Sequence, residues 1–270
     1  MILTVNHVTT YQYDAPMRSA VQSLRLFPSR FDGQRIINWD VAVDGGVKGG
    51  SFRDGAGDRV EGWSLRGPVS EVTVVVTGQV ETTDMAGVLR GHRETVSPFA
   101  YLRETTATWI DDGLETLAQE AVSGAEDGLD RAHRLSRAVA EAIAYKPGVT
   151  HAHTTAAEAL ALGEGVCQDH AHALIACARA VELPARYVSG YLFARDDGEP
   201  HEAAHAWAEI WVQGIGWIGF DAANQCCPDG RYIRLGSGFD ARDAAPIKGI
   251  ALGTGEESLD VTVALESVQQ

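Results

Sequence analysis

The chain has 270 residues, 45% of them apolar, with 37 acids against 22 bases and a net charge of −15. That length allows one large domain or two ordinary ones with a proper core, and such acidity repels nucleic acid and anionic membrane, so neither is an expected partner. No apolar run approaches the ~20 residues of a membrane helix. Cys167, Cys177, Cys226 and Cys227 are too few for a disulfide scaffold, which points to a reducing compartment. The opening MILTVNHVTTYQYD has neither the basic n-region nor the apolar core of a signal peptide, so a cytoplasmic protein is expected.

Residues 1–80 read as β. Ile2, Val5, Val8, Tyr11 and Tyr13 form an opening strand, and Val21–Phe27 and Ile36–Val43 follow, separated by Pro28, Gly33 and the glycines from Gly45 to Gly50. Gly55–Asp58 marks a turn, and Val60–Leu65 is the next strand. Glu71–Val80 is so dense in valine that a strand buried on both faces is expected. Together these give a small antiparallel sandwich or barrel. The pattern loosens from Thr82 to Pro98. The expected division is therefore a sandwich-like N-terminal domain over 1–85 and a second domain over 86–270 that ends in a strand extension.

The period then becomes helical. Leu114, Leu117, Ala118, Ala121 and Val122 share a face behind Asp111 and Asp112, which are placed to cap it. A second helix carries Leu135, Val139, Ala142 and Ile143 and stops at Pro147-Gly148. The stretch Asp111–Asp130 is acidic throughout but lacks the spacing of a calcium loop, so it reads as a solvated helix surface. Thr155-x-x-Glu158 is a capping box for a short helix ending at Gly163. Gly163–Gly165 opens a tight loop into an Ala-rich apolar helix carrying Val166, Leu174, Ile175, Ala178 and Val181. Pro184 ends it, and Arg186–Phe193 is a strand. Asp196–Pro200 is a hairpin-type loop, His205–Val212 and Trp217–Asp221 are strands, and Leu259–Leu265 alternates as a final strand.

Chemistry concentrates in three of these runs. Cys167 falls in the first turn of its helix, where free N–H groups and the macrodipole favour a thiolate. On the His205 strand, His205, Trp207, Glu209 and Trp211 share one face. The turn around Gly214-Ile215-Gly216 makes the next strand antiparallel, which brings Asp221 beside His205. A Cys-His-Asp arrangement would let a thiolate attack an amide carbonyl, with His205 protonating the leaving amine and Asp221 orienting the imidazole. The Cys167 N–H is one oxyanion donor. Tyr145 and Gln168 are the candidates for a second.

The runs GVCQDHAH, LPARYVSGYL, HAWAEIW and GWIGFDAAN, over roughly Tyr145 to Asn224, resemble the transglutaminase-like superfamily of thiol enzymes. HVTTYQYDAPMRSAVQSLRLFPS resembles the β-rich N-terminal domain of its bacterial members, and FDARDAAPIKGIALGTG the segment that follows the core there. The resemblance implies an α+β fold. A papain-like core of helices on an antiparallel sheet would follow a small all-β domain. It implies Cys167 as nucleophile, His205 as base and Asp221 as orienter. Two departures stand out: Asp221-Ala222 replaces the frequent Asp-Pro, and no tryptophan lies between Trp109 and Cys167 to serve the oxyanion as in the large eukaryotic enzymes.

His170, one turn beyond Cys167, is a candidate for the cleft lining, and Trp207 for a wall of the acyl site. Asp169 reads as a helix-start charge or a structural acceptor, Cys177 as core, and Asp243 as a buttress of the cleft from the C-terminal segment or a surface charge. His151, His153, His170 and His172 raise a zinc reading, but His170 and His172 point to different sides of one helix. No metal and no cofactor are expected. The leading expectation is a thiol hydrolase or acyltransferase working through a Cys thioester on a peptide or protein substrate. Protein cross-linking and an inactive binding module are the alternatives.

Overall fold

The computed structural model describes residues 1–193 and 203–268; the expected Asp196–Pro200 loop lies outside them. In chain order come β1 (Ile2–Leu24), β2 (Gln34–Val43), β3 (Val47–Arg53), β4 (Arg59–Thr82), α1 (Asp112–Val122), α2 (Gly128–Ala142), β5 (Ala144–Tyr145), α3 (Ala156–Leu162), β6 (Glu164–Gly165), α4 (Cys167–Ala180), β7 (Ala185–Leu192), β8 (Ala204–Val212), β9 (Gly216–Phe220), β10 (Tyr232–Gly238), β11 (Ile247–Leu252) and β12 (Glu257–Val268). The class is α+β.

The first sheet is built on two long strands. The opening strand and Val21–Phe27, expected as separate, merge into the 23-residue β1, and Val60–Leu65 and Glu71–Val80 merge into the 24-residue β4. Pro16 and Pro68 fall inside these two strands. Both lie where the β1–β4 register shifts, between Gln12 and Ser19 on one strand and between Arg66 and Glu71 on the other. A bulge tolerates a residue with no N–H to give, so the strands bend and continue. β1 and β4 thus run through two four-stranded ladders, β12-β1-β4-β2 and β11-β1-β4-β3.

The valine run of β4 is buried on one face, contrary to expectation. Val72, Val74, Val76 and Val80 are inside, while Thr73 and Val75 are half-exposed and Thr77 is exposed. The inward valines join Leu3, Val5, Val41 and Val43 in a core that also takes Tyr191, Ile233 and Leu235 from β7 and β10. The first sheet therefore rests on the second, whose order is β10-β7-β8-β9. The strand expected over Leu259–Leu265 lies within β12 and ladders onto β1, as does β11, where no strand was expected.

On the other face of the second sheet lie the helices. α4 is buried from Asp169 to Arg179, as an Ala-rich helix with apolar residues all round should be. Ala206, Ala208, Ile210 and Val212 of β8 face it, as the strand alternation requires. On the opposite face of β8, Glu209 accepts from Arg234 Nε at 2.8 Å and Arg186 Nε at 2.7 Å. Arg234 also reaches Asp58 of the first half at 2.8 Å. Burial would raise the Glu209 pKa, but the two guanidiniums hold it down at about 2. This ionic network fixes β8, and with it the site, against β7, against β10 beyond it and against the first half of the chain.

Candidate active site

Gly163 ends α3 in the left-handed conformation (φ 68°). Gly165 is required by close approach: a Cβ there would stand 2.7 Å from that of Asp169. Asp169 Oδ2 accepts from the Val166 N–H at 2.8 Å and from Thr150 Oγ1 at 2.6 Å. Asp169 is thus the acceptor that caps α4, and it ties down the 147–155 loop as well. Cys167 is the first residue of the helix, half-buried, with its N–H at the open end of the macrodipole.

The β8–β9 hairpin forms in the expected sense, pairing Trp211 with Trp217 and Ala208 with Phe220. Its open end holds His205 and Asp221. His205 Nε2 lies 2.6 Å from Asp221 Oδ2 and 3.3 Å from Asn224 Nδ2, and the Cys167 thiol also acts on the ring. Nε2–H therefore donates to the carboxylate, which leaves Nδ1 for the sulfur. Burial pushes the His205 pKa down, but hydrogen bonds and charge from Asp221 and Cys167 outweigh it and raise it to about 9. Asp221 is held below the usual carboxylate range. Burial works against this, and His205, Asn224 and Tyr232 more than compensate.

Two of those partners were not singled out from the sequence. Tyr232 donates its hydroxyl to Asp221 Oδ2 at 2.8 Å, and Asn224 Nδ2 donates to the same oxygen at 2.7 Å. The Asn224 N–H reaches Oδ1 at 3.1 Å. The chain leaving Asp221 is stiffened by paired backbone bonds with Cys226, at 2.8 and 3.1 Å, rather than by a proline. The spacing Asp-x-x-Asn was a signal for an Asx-type turn at Asp221. Tyr232 lies on β10, and no local pattern reports it.

The four residues expected to line the substrate path fall in different places. Trp207 is 3% exposed, stacked at 6.4 Å on His205 and edge-on at 5.5 Å to Tyr232, so it supports the imidazole from below. Its ring lies over Gly190, the ladder partner of His205, where a Cβ would come within 2.6 Å of the indole. His170 is buried as well, with Nδ1 at 2.9 Å from the Val166 carbonyl and Nε2 at 2.8 Å from that of Ile143. It clamps the helix start to the end of α2 and does not line a cleft. Gln168 Nε2 donates to the Ala152 carbonyl at 3.4 Å. Tyr145 is exposed on β5, which pairs with β6 next to Cys167, and its ring lies 6.3 Å from that of His170. His172 Nε2 accepts from the Ala241 N–H at 3.0 Å, which seats the 239–244 turn on α4; Asp243 Oδ2 accepts from the Phe239 N–H within that turn.

Two family models match the chain: the transglutaminase-like superfamily over residues 115–222 and the bacterial transglutaminase-like N-terminal region over residues 3–81. An uncharacterised protein of Mycobacterium leprae is 31% identical over 279 residues, covering 97% of both chains. An uncharacterised protein of Mycobacterium tuberculosis is 28% identical over 284 residues, covering 96% of this chain and 90% of the relative. Among solved structures, a candidate cysteine protease from Cytophaga hutchinsonii has a TM-score of 0.76 at 23% identity, covering all of this chain and 92% of its own.

Proposed function

Starting from a chain that belongs to the transglutaminase-like superfamily, we propose that it is a thiol-dependent amide or peptide hydrolase or acyltransferase built on Cys167, His205 and Asp221. The observation that carries this reading is the His205 imidazole, engaged by Asp221 at 2.6 Å on one side and by Cys167 on the other.

The chemistry follows from that placement. Cys167 Sγ, having given its proton to His205, adds to the carbonyl carbon of an amide. The C=O electron pair moves onto oxygen, to which the Cys167 N–H donates a hydrogen bond. As the C=O re-forms, the C–N bond breaks, and His205 delivers its proton to the departing amine. A thioester remains. Water, deprotonated by His205, adds to it and expels the Cys167 thiolate. Asp221 keeps the imidazole in the tautomer that faces the sulfur and stabilises its protonated form. The substrate is a peptide or protein, and hydrolysis is the favoured outcome because no feature among the described residues marks a pocket for an acceptor amine. The Cytophaga neighbour, described as a candidate protease, supports that choice.

A thiol-directed activity probe, followed by residue-resolved mass spectrometry, tests the nucleophile; label on any other cysteine overturns it. A peptide library incubated with and without a primary amine then separates hydrolysis from transfer.

A further inference from the structure

Tyr187 stands on β7 with its ring turned towards α4, 5.2 Å from the ring of His172 and within the core on which Cys167 packs. It is 5% exposed. A phenol so deeply placed normally finds a hydrogen-bond partner. The other two buried tyrosines at this sheet do: Tyr191 is 2.7 Å from His7 Nδ1, and Tyr232 reaches Asp221 at 2.8 Å. Among the described residues the Tyr187 hydroxyl has no hydrogen-bond partner.

The neighbours suit a neutral donor. Burial first, then the Cys167 sulfur as the strongest charge acting on it, push the phenol well above its ordinary range, so it stays protonated. The His172 ring beside it accepts at Nε2 from the Ala241 N–H, which puts its proton on Nδ1, and burial holds its pKa at about 4. Among the described residues no cation acts on it to draw off the phenol proton, and none accepts from it: the O–H stands under the influence of the nucleophile, poised to donate.

We propose that the Tyr187 hydroxyl is the second oxyanion donor, acting with the Cys167 backbone N–H. This rests on the thiol reading above. As the C–S bond forms, the carbonyl π pair moves onto oxygen and Tyr187 strengthens a hydrogen bond to it. No proton leaves the phenol. When the C=O re-forms and the C–N bond breaks, the donor is released, and His205 supplies the proton to nitrogen. The role left open by the missing upstream tryptophan falls to a residue that follows the nucleophile helix.

The test compares two reactions of the same sulfur in the full chain. p-Nitrophenyl acetate acylates Cys167 through an oxyanion; iodoacetamide alkylates it by displacement, with none. Tyr187→Phe is expected to slow the acylation burst by roughly 10²-fold, the order for loss of one such donor. It is expected to leave the alkylation rate and its pH dependence within about twofold, the scatter of a surface-type change. An unchanged burst overturns the proposal. A parallel fall in alkylation also overturns it, because Tyr187 would then act on the thiol or the helix. Should the phenylalanine variant not fold, 3-fluorotyrosine at position 187, a stronger donor of the same shape, is expected to quicken the burst, and an equal rate refutes the role. A burst that survives Cys167→Ala instead defeats the thiol reading itself.

Discussion

The Tyr232 hydroxyl lies 2.8 Å from Asp221 Oδ2, the oxygen that His205 also engages. Tyr232→Phe removes a charge-assisted bond from a buried carboxylate and is expected to cost about 1–3 kcal/mol of stability at neutral pH. The folded pKa of Asp221 is depressed, so its contribution is present above the unfolded value of about 3.9 and is lost as pH falls through the folded one. Denaturant unfolding from pH 7 to pH 3 reads this directly. A penalty that stays constant on acidification contradicts the assignment.

Why Asp221 was legible in the sequence and Tyr232 was not is a matter of reach. The β8–β9 hairpin is local: the strand period and the turn at Gly214 and Gly216, with φ of 85° and 108°, fix its register, and the register sets Asp221 beside His205. Cys167 was legible because its two glycines, its helix start and its apolar face are contiguous. Tyr232 arrives from β10, on the far side of β7, and depends on Gly190 leaving room for Trp207 to meet it. The order of strands in a sheet is a non-local choice that no window reports. For the same reason the tail read correctly as a strand, while its partner β1 did not show. His170 was misplaced because its helical position gives a direction but not the carbonyls of Val166 and Ile143 that enclose it.

Cys167→Ala is expected to abolish turnover with the circular dichroism spectrum intact, since alanine suits an Ala-rich helix. Asp221→Asn is expected to lose less, roughly 10²–10⁴-fold, because the nucleophile and oxyanion donors persist. Activity retained in Cys167→Ala removes the triad from consideration.

The His205 ring should titrate near 9, raised by Asp221 and Cys167 against its burial. A histidine raised in this way stabilises the fold fully below about 6.5, and the contribution is lost as pH rises through about 9. Imidazole resonances followed by NMR report the midpoint. Asp221→Asn should move it downward; a midpoint at the ordinary value in the unaltered protein refutes the coupling.

Iodoacetamide should modify Cys167 ahead of the other three thiols. Burial pushes Cys177 up to about 12, Cys227 up to about 11, and Cys226 above its ordinary value. Among the described residues Cys167 is the cysteine that acts on an imidazole, that of His205. His205→Ala should slow its alkylation and leave the others unmoved. Equal reactivity of all four in mass spectrometry would contradict the pairing.

Glu209→Gln should destabilise the protein by up to about 3–5 kcal/mol, because Arg186 and Arg234 each lose one of two carboxylate partners in the interior and keep Glu94 and Asp58. In the unaltered chain the Glu209 contribution is present above about 4.5 and is lost as pH falls towards about 2. His7 and His172, both held at about 4 by burial, add to acid unfolding between about 6.5 and 4, where the unfolded chain takes protons that the folded one refuses. Thermal unfolding across this range should show the variant less stable at pH 7 and its deficit narrowing in acid.

The pairing of β12 with β1, from Ile2 opposite Val268 to Tyr13 opposite Glu257, sets an order on biosynthesis. β1 emerges first from the ribosome and β12 only after every helix and the whole second sheet. The first sheet therefore waits, one ladder short, while the segment carrying Cys167, His205 and Asp221 is translated. Its inner face waits also for Tyr191, Ile233 and Leu235. Folding in the cell thus closes the molecule in a single late event, and a nascent chain stalled before β11 presents two long, incompletely paired strands to whatever chaperone meets it.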